Sequence, residues 1–127
     1  MKEKIIFKGF CGDVVSELSD ANVFVLTSKY EGMPNSLMEA MALGIPSITT
    51  DCFGNDGEYK LVESGQNAIM IPRDDEVALA KAIDELLSNK EFANKIAYNA
   101  TKVRDTFSPT IIYKRWEDLI KTIIHGY

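Results

Sequence analysis

The chain has 127 residues, 46% apolar and 26% charged, with a net charge of −5 and a pI near 4.9. That is the size of one ordinary domain, with enough apolar material for a packed core and too much for a disordered chain. The acidic balance argues against nucleic acid or an anionic membrane as the main partner, because both need a basic face.

The N-terminal run "KIIFK" at 4–8 reads as a short strand, and "GFCGD" after it as a turn, with Asp13 placed to cap a helix over 14–20. "NVFVLTS" at 22–28 is a continuous apolar run, as expected of a parallel strand buried on both faces. "LMEAMAL" at 37–43 is made of strong helix formers and is stopped by Gly44. "IPSITT" at 45–50 is the next strand, with Pro46 at its start, where a missing donor does little harm. Residues 51–66 read as loop with one helical turn near 58–63, and "NAIMIP" at 67–72 as a further strand. Three helices follow. The first spans 75–89 with Leu79, Ile83, Leu86 and Leu87 at helical spacing, and the second carries Phe92, Ile96, Ala100 and Val103. The third has Ser108 as N-cap and Pro109 at N1, with Ile112, Trp116, Leu119, Ile120 and Ile123 as its buried stripe.

This alternation predicts an α/β domain with a parallel sheet of about four strands and flanking helices. Such sheets bind ligands beyond the carboxyl ends of their strands. Residues 9–13, 28–36 and 51–58 would lie on that edge. Cys11 and Cys52 form no CxxC pair and have no nearby histidine, which suits free thiols in a reducing cytoplasm. The N-terminal apolar run is too short for a signal peptide, and no segment reaches the roughly 18 apolar residues of a membrane span.

Two acids flank the turn "EGMPNSLME": Glu31 before it and Glu39 in the helix after it. Ser36 and Glu39 have the S-x-x-E spacing of a capping box, so by spacing alone Glu39 could serve only to bond the helix start. The same geometry has a functional reading. Pro34, Asn35 and Ser36 mark a helix N-terminus, whose unpaired N–H groups favour an anion such as phosphate. A carboxylate there needs another target, and sugar hydroxyls donate to carboxylates strongly. A ligand carrying both a diphosphate and polyols, such as a nucleotide-sugar, has that composition.

The E-x7-E spacing from Glu31 to Glu39, with "ANVFVLTSKYEG" before it and "AMALGIPSITTD" after it, closely resembles the retaining GT-B glycosyltransferases of family GT4. "IIFKGF" resembles that family's preceding strand and "LVESGQNAIMIPRDDEVALAKAIDELL" its following segment, so the resemblance covers about residues 5–88. It implies a Rossmann-like, donor-binding part of a GT-B C-terminal domain, here residues 1–127, acting in bacterial polysaccharide, capsule or lipopolysaccharide synthesis. Glu31 matches the acid that holds the donor sugar's hydroxyls near the reacting carbon, and Glu39 the acid that binds the ribose. Gly32, Met33, Pro34, Asn35 and Ser36 match the turn whose backbone approaches the sugar and diphosphate. Leu37 matches a position next to the nucleoside. Gly32 suits a backbone that must come close to a ligand. The family needs no metal cofactor.

The resemblance also implies that the acceptor-binding domain and the first two strands of the donor domain, with their diphosphate-neutralising Arg and Lys, lie outside this chain. Sugar transfer by the polypeptide alone is therefore not expected. The saccharide or lipid-linked acceptor would be met by the absent domain, at a cytoplasmic location or at the cytoplasmic face of the membrane. In the family's order the absent strands lie between 4–8 and 22–27. Those two segments would then pair directly, or the open edge would pair with a second copy in a homodimer. "DCFGNDGE" at 51–58 departs from the Gly-Gly-Pro turn of close relatives, with Glu58 matching an acid common there.

Other chemistries find less support. A response-regulator receiver needs an acidic pair where Cys11 and Gly12 stand, and no P-loop or G-x-G-x-x-G is present. "NDGE" fails Ca²⁺-loop spacing, no D-x-D is available to hold a metal on a sugar diphosphate, and His125 sits at the extreme C-terminus. The rival from a different class is a non-catalytic nucleotide-sugar-binding or protein-interaction module.

Overall fold

The computed structural model describes residues 4–55 and 60–126. Its elements run α1 (Val14–Leu18), β1 (Phe24–Leu26), α2 (Asn35–Ala42), β2 (Ser47–Thr50), β3 (Ile69–Ile71), α3 (Glu76–Ser88), α4 (Lys90–Ala100), α5 (Val103–Thr106) and α6 (Pro109–His125). The strands form one parallel sheet in the order β1-β2-β3, with Val25 opposite Ile48 and Ile48 opposite Ile69.

Strand alternation sorts the core into two clusters, one on each face of the sheet. Phe24, Leu26 and Met70 face Leu37 and Met41 of α2, together with Phe53, Leu61, Val62, Ala100 and Val103. Ile48, Ile69 and Ile71 face Ala82 and Leu86 of α3 and Ala93 and Ile96 of α4. The central strand β2 is buried at every position. Its hydroxyls are all satisfied by backbone carbonyls: Ser47 Oγ donates to the Ile45 carbonyl, Thr49 Oγ1 to the Thr50 carbonyl, and Thr50 Oγ1 to the Ser28 carbonyl in the loop after β1.

The helix signals operate as expected. Asp13 caps α1, accepting from the Ser16 N–H at 3.1 Å and the Ser16 hydroxyl at 2.6 Å. Ser108 caps α6, with Pro109 in its first turn. Helix α2 ends in a Schellman turn, in which Gly44 N–H donates to the Met41 carbonyl and Ile45 N–H to the Ala40 carbonyl. Gly44 carries φ +74°, and a Cβ there would lie 3.3 Å from Thr101 Cγ2.

Three expectations are corrected. Among the described residues the sheet has three strands rather than about four, because 4–8 is irregular, with Ile6 76% and Phe7 94% exposed. An apolar run can form a strand, but a strand persists only where a neighbour satisfies its backbone, and 4–8 pairs with no described strand. The second of the three predicted helices divides at Thr101 and Lys102 into α4 and α5, although Ile96, Ala100 and Val103 are buried as expected. The predicted stripe of α6 is not core: the helix has no buried residue, with Trp116 60% and Ile123 57% exposed. Its pattern identifies the helix, and nothing among the described residues covers the face. The turn predicted near 58–63 lies partly outside the described residues, and 60–63 are not helical. No helix among the described residues is long and apolar enough to cross a membrane.

Gly44→Ala should destabilise the fold by about 1–2 kcal/mol in urea unfolding, since alanine at positive φ is strained and the new methyl crowds Thr101. The Ser16 hydroxyl and then the Ser16 N–H hold the Asp13 carboxyl below its ordinary value. Because the folded value is the lower one, the cap's contribution is complete above the unfolded carboxylate range and is lost as pH falls through the folded value. Acid titration followed by amide exchange should therefore show Ser16 losing protection, and Asp13→Asn should remove that pH dependence.

Candidate functional site

Three loops leave the carboxyl ends of the strands, and backbone and side-chain bonds tie them together. The loop after β1 is anchored to the loop after β2 by the Glu31 N–H, which donates to the Cys52 carbonyl at 2.7 Å. It is anchored to β2 itself by Thr50 Oγ1, which lies 2.6 Å from the Ser28 carbonyl. The loop after β3 reaches back to it: Lys29 pairs with Asp74 at 3.2 Å, and the Arg73 guanidinium lies 5.6 Å from the Tyr30 ring centroid. Lys29 and Arg73 are thus each engaged by a neighbour. A cavity of about 340 Å³ opens here, lined by Thr27, Thr50, Ile71, Asp74, Asp75 and Glu76.

Glu31 is half-buried, and its Oε1 accepts the Ser28 hydroxyl at 2.6 Å. The following turn carries exposed Gly32 and Met33, buried Pro34, exposed Asn35 and half-buried Ser36. Pro34 is the N-cap of α2, and no side chain caps the helix. The first-turn N–H groups of Ser36 and Leu37 therefore have no hydrogen-bond partner among the described residues. Helical periodicity places Glu39 with Asn35 on the exposed face, opposite Leu37, Ala40 and Met41. The Leu37 side chain is fully buried in the core, so only its backbone N–H is open to a ligand. A Cβ at Gly32 would meet no atom within 4 Å, and its φ lies outside the left-handed region, so nothing in the described fold requires glycine there.

The capping box that the spacing of Ser36 and Glu39 allows does not form. Pro34 rather than Ser36 is the N-cap, which leaves Ser36 inside the first turn and the Glu39 carboxylate with no hydrogen bond or ion pair among the described residues. The engaged S-x-x-E pair is instead Ser28 and Glu31, which have the same spacing in a loop. The repeated spacing is visible in the sequence, but it does not distinguish a loop pair from a helix cap.

The loop after β2 contains a second feature that sequence reasoning missed. Asn55 Nδ2 donates to the Val62 carbonyl at 2.6 Å while its Oδ1 accepts from the Val62 N–H at 2.9 Å. Asn67 does the same for the Leu61 carbonyl and the Glu63 N–H. These two amides give the irregular β2–β3 connection the backbone pairing that a strand would otherwise supply. Glu58 lies outside the described residues. Among the described residues no group of three or more His, Cys, Asp or Glu side chains gathers as a metal site.

The family model described as "Glycosyl transferases group 1" matches residues 1–103. The capsular polysaccharide biosynthesis glycosyltransferase CapM of Staphylococcus aureus is 31% identical over 113 residues, which are 88% of this chain and 29% of CapM. The crystal structure of the C-terminal domain of LpcC, a glycosyl transferase group 1 family protein of Francisella tularensis, superposes with a TM-score of 0.70 at 27% identity. That match covers 82% of this chain and 53% of the LpcC domain chain. Anabaena HepE, crystallised in complex with UDP, has the same fold at a TM-score of 0.87 and 22% identity, over 95% of this chain and 33% of its own. The chain thus spans less than a third of the length of CapM.

Asn55→Ala should lower stability by about 1–3 kcal/mol, because it strands the N–H and carbonyl of a buried Val62. Urea unfolding of the variant measures this.

Proposed function

Because the chain belongs to the glycosyl transferases of group 1, we propose that its carboxyl edge is the donor side of a GT4-like retaining transferase and binds a nucleotide-diphosphate sugar. The observation that carries this reading is the division of labour around α2. The unpartnered N–H groups of Ser36 and Leu37 suit the diphosphate, while a held carboxylate (Glu31) and a free one (Glu39) flank them. Glu31 takes the sugar hydroxyls beside the reacting carbon, and Glu39 takes the ribose hydroxyls. The backbone of Gly32, Met33, Pro34, Asn35 and Ser36 follows the sugar and diphosphate. The open space at Gly32, which the fold does not use, is room for that approach. Leu37 contributes its N–H, its side chain being committed to the core.

Residues 1–127 are on this reading a fragment of a nucleotide-sugar-binding domain, and the acceptor is met elsewhere in a longer protein. The chemistry is departure of the nucleoside diphosphate with attack by an acceptor hydroxyl on the same face of the sugar. Glu31 and the departing phosphate stabilise the positive charge that develops at the sugar carbon. No resident metal takes part. The similarity to CapM, a capsular polysaccharide biosynthesis protein, supports a role in bacterial polysaccharide synthesis. The UDP held by HepE supports a uridine nucleotide as the first donor to try.

Calorimetric titration with UDP, GDP and their common sugar conjugates, in EDTA, tests the reading. Saturable binding is expected, with affinity lowered about 10- to 100-fold in Glu39→Ala, the range for losing hydrogen bonds to a charged group. Binding that Glu39→Ala leaves intact, or none at all, sinks it.

A further inference from the structure

We infer that Ser28 is a positioning residue for Glu31, holding one carboxylate oxygen so that the other is presented to the donor sugar; this rests on the donor-site reading above. Ser28 lies two residues beyond the end of β1, and its hydroxyl donates to Glu31 Oε1 at 2.6 Å, the short length of a hydroxyl bonded to a charged carboxylate. A carboxylate has about four acceptor sites, so one donor leaves Oε2 entirely free for hydroxyls of a ligand.

Both ends of Glu31 are held, and each anchor leads back to β2. The main-chain N–H is bonded to the Cys52 carbonyl, two residues past the strand. The carboxylate is bonded to Ser28, whose own carbonyl accepts the hydroxyl of Thr50, the last residue of β2 and only 3% exposed. The carboxylate is thereby referenced to the most buried strand of the sheet through two side-chain bonds. Glu39 has no such support: it is exposed and makes no bond among the described residues. The two acids therefore differ in kind. Glu31 is preorganised, while Glu39 must surrender rotamer freedom when it binds. That asymmetry fits their proposed targets, since orientation matters more beside the reacting carbon than at the ribose.

A bond that merely stiffened the loop would affect every ligand alike, and one that aims Glu31 would affect the sugar alone. The test is the preference for a sugar conjugate over its bare nucleotide, measured on the full chain with UDP, UDP-glucose, UDP-galactose and UDP-N-acetylglucosamine, and with GDP and GDP-mannose. Ser28→Ala should reduce that preference about tenfold, the scale of one charge-assisted bond, with affinity for the bare nucleotide unchanged. Ser28→Thr, which keeps the hydroxyl, should restore it. In a Glu31→Ala background Ser28→Ala should cause no further loss. The inference is overturned if Ser28→Ala leaves the preference intact, weakens bare nucleotide equally, or acts fully without Glu31. A wild-type chain that binds neither nucleotide nor conjugate defeats the donor-site reading and this inference with it, whereas one that binds nucleotide through Glu39 but prefers no conjugate overturns this inference alone.

Discussion

Strand β2 is four residues long, buried along its whole length, and three of its four side chains are hydroxyls. A hydroxyl buried without a partner is costly, so Ser47, Thr49 and Thr50 each need an acceptor. Two find one within the strand or just before it, whereas Thr50 finds it in the next loop, at the Ser28 carbonyl. The rest of the carboxyl edge depends on that strand. The Asp51 N–H bonds the Ile71 carbonyl and the Cys52 carbonyl accepts the Glu31 N–H, so the strand's end holds the loops on either side of it. A polar core strand is an unusual way to build a parallel sheet, and here its polarity is what joins the core to the site.

The same economy governs the β2–β3 crossover. In its described residues, 51–55 and 60–68, no helix forms; Leu61 and Val62 are pressed into the core, and two asparagine side chains supply their backbone with partners. The chain also carries apolar surface that its own core does not absorb. Ile6 and Phe7 near the start and Trp116 and Ile123 on α6 are exposed, although each sits in a pattern that would bury it against a suitable neighbour. The sequence patterns and the described contacts differ most at these two segments.

How far the sequence could be read depended on the range of the interactions involved. Asp13, Gly44, Ser108 and Pro109 act within one turn of themselves, and each sits where its chemistry demands. The continuous apolar run before the turn and the "IPSITT" run became β1 and β2, but only β2 is buried along its length. Strand β1 lies at the edge of the described sheet, with no buried residue and Val25 exposed, so its apolar run marked a strand and not burial on both faces. The S-x-x-E spacing was legible but occurs three times, at Ser28–Glu31, Ser36–Glu39 and Ser88–Glu91. Spacing alone could not say which copy was bonded, since that turned on whether Pro34 or Ser36 is the N-cap of α2. Asn55 and Asn67 left no local signal, because their partners are a bent loop's backbone rather than a motif.

By itself the sequence determined the α/β alternation, the parallel sheet, the helix ends and the placing of Glu31 and Glu39 around the mouth of one helix, all consequences of periodicity and nearest-neighbour chemistry. The tertiary structure decided which apolar stretches find a partner: β2 does on both faces, while 4–8 and α6 do not. It also decided that Glu31 is held and Glu39 is free. A pattern states what a segment can bury or bond, but whether it does so depends on what the fold brings within reach.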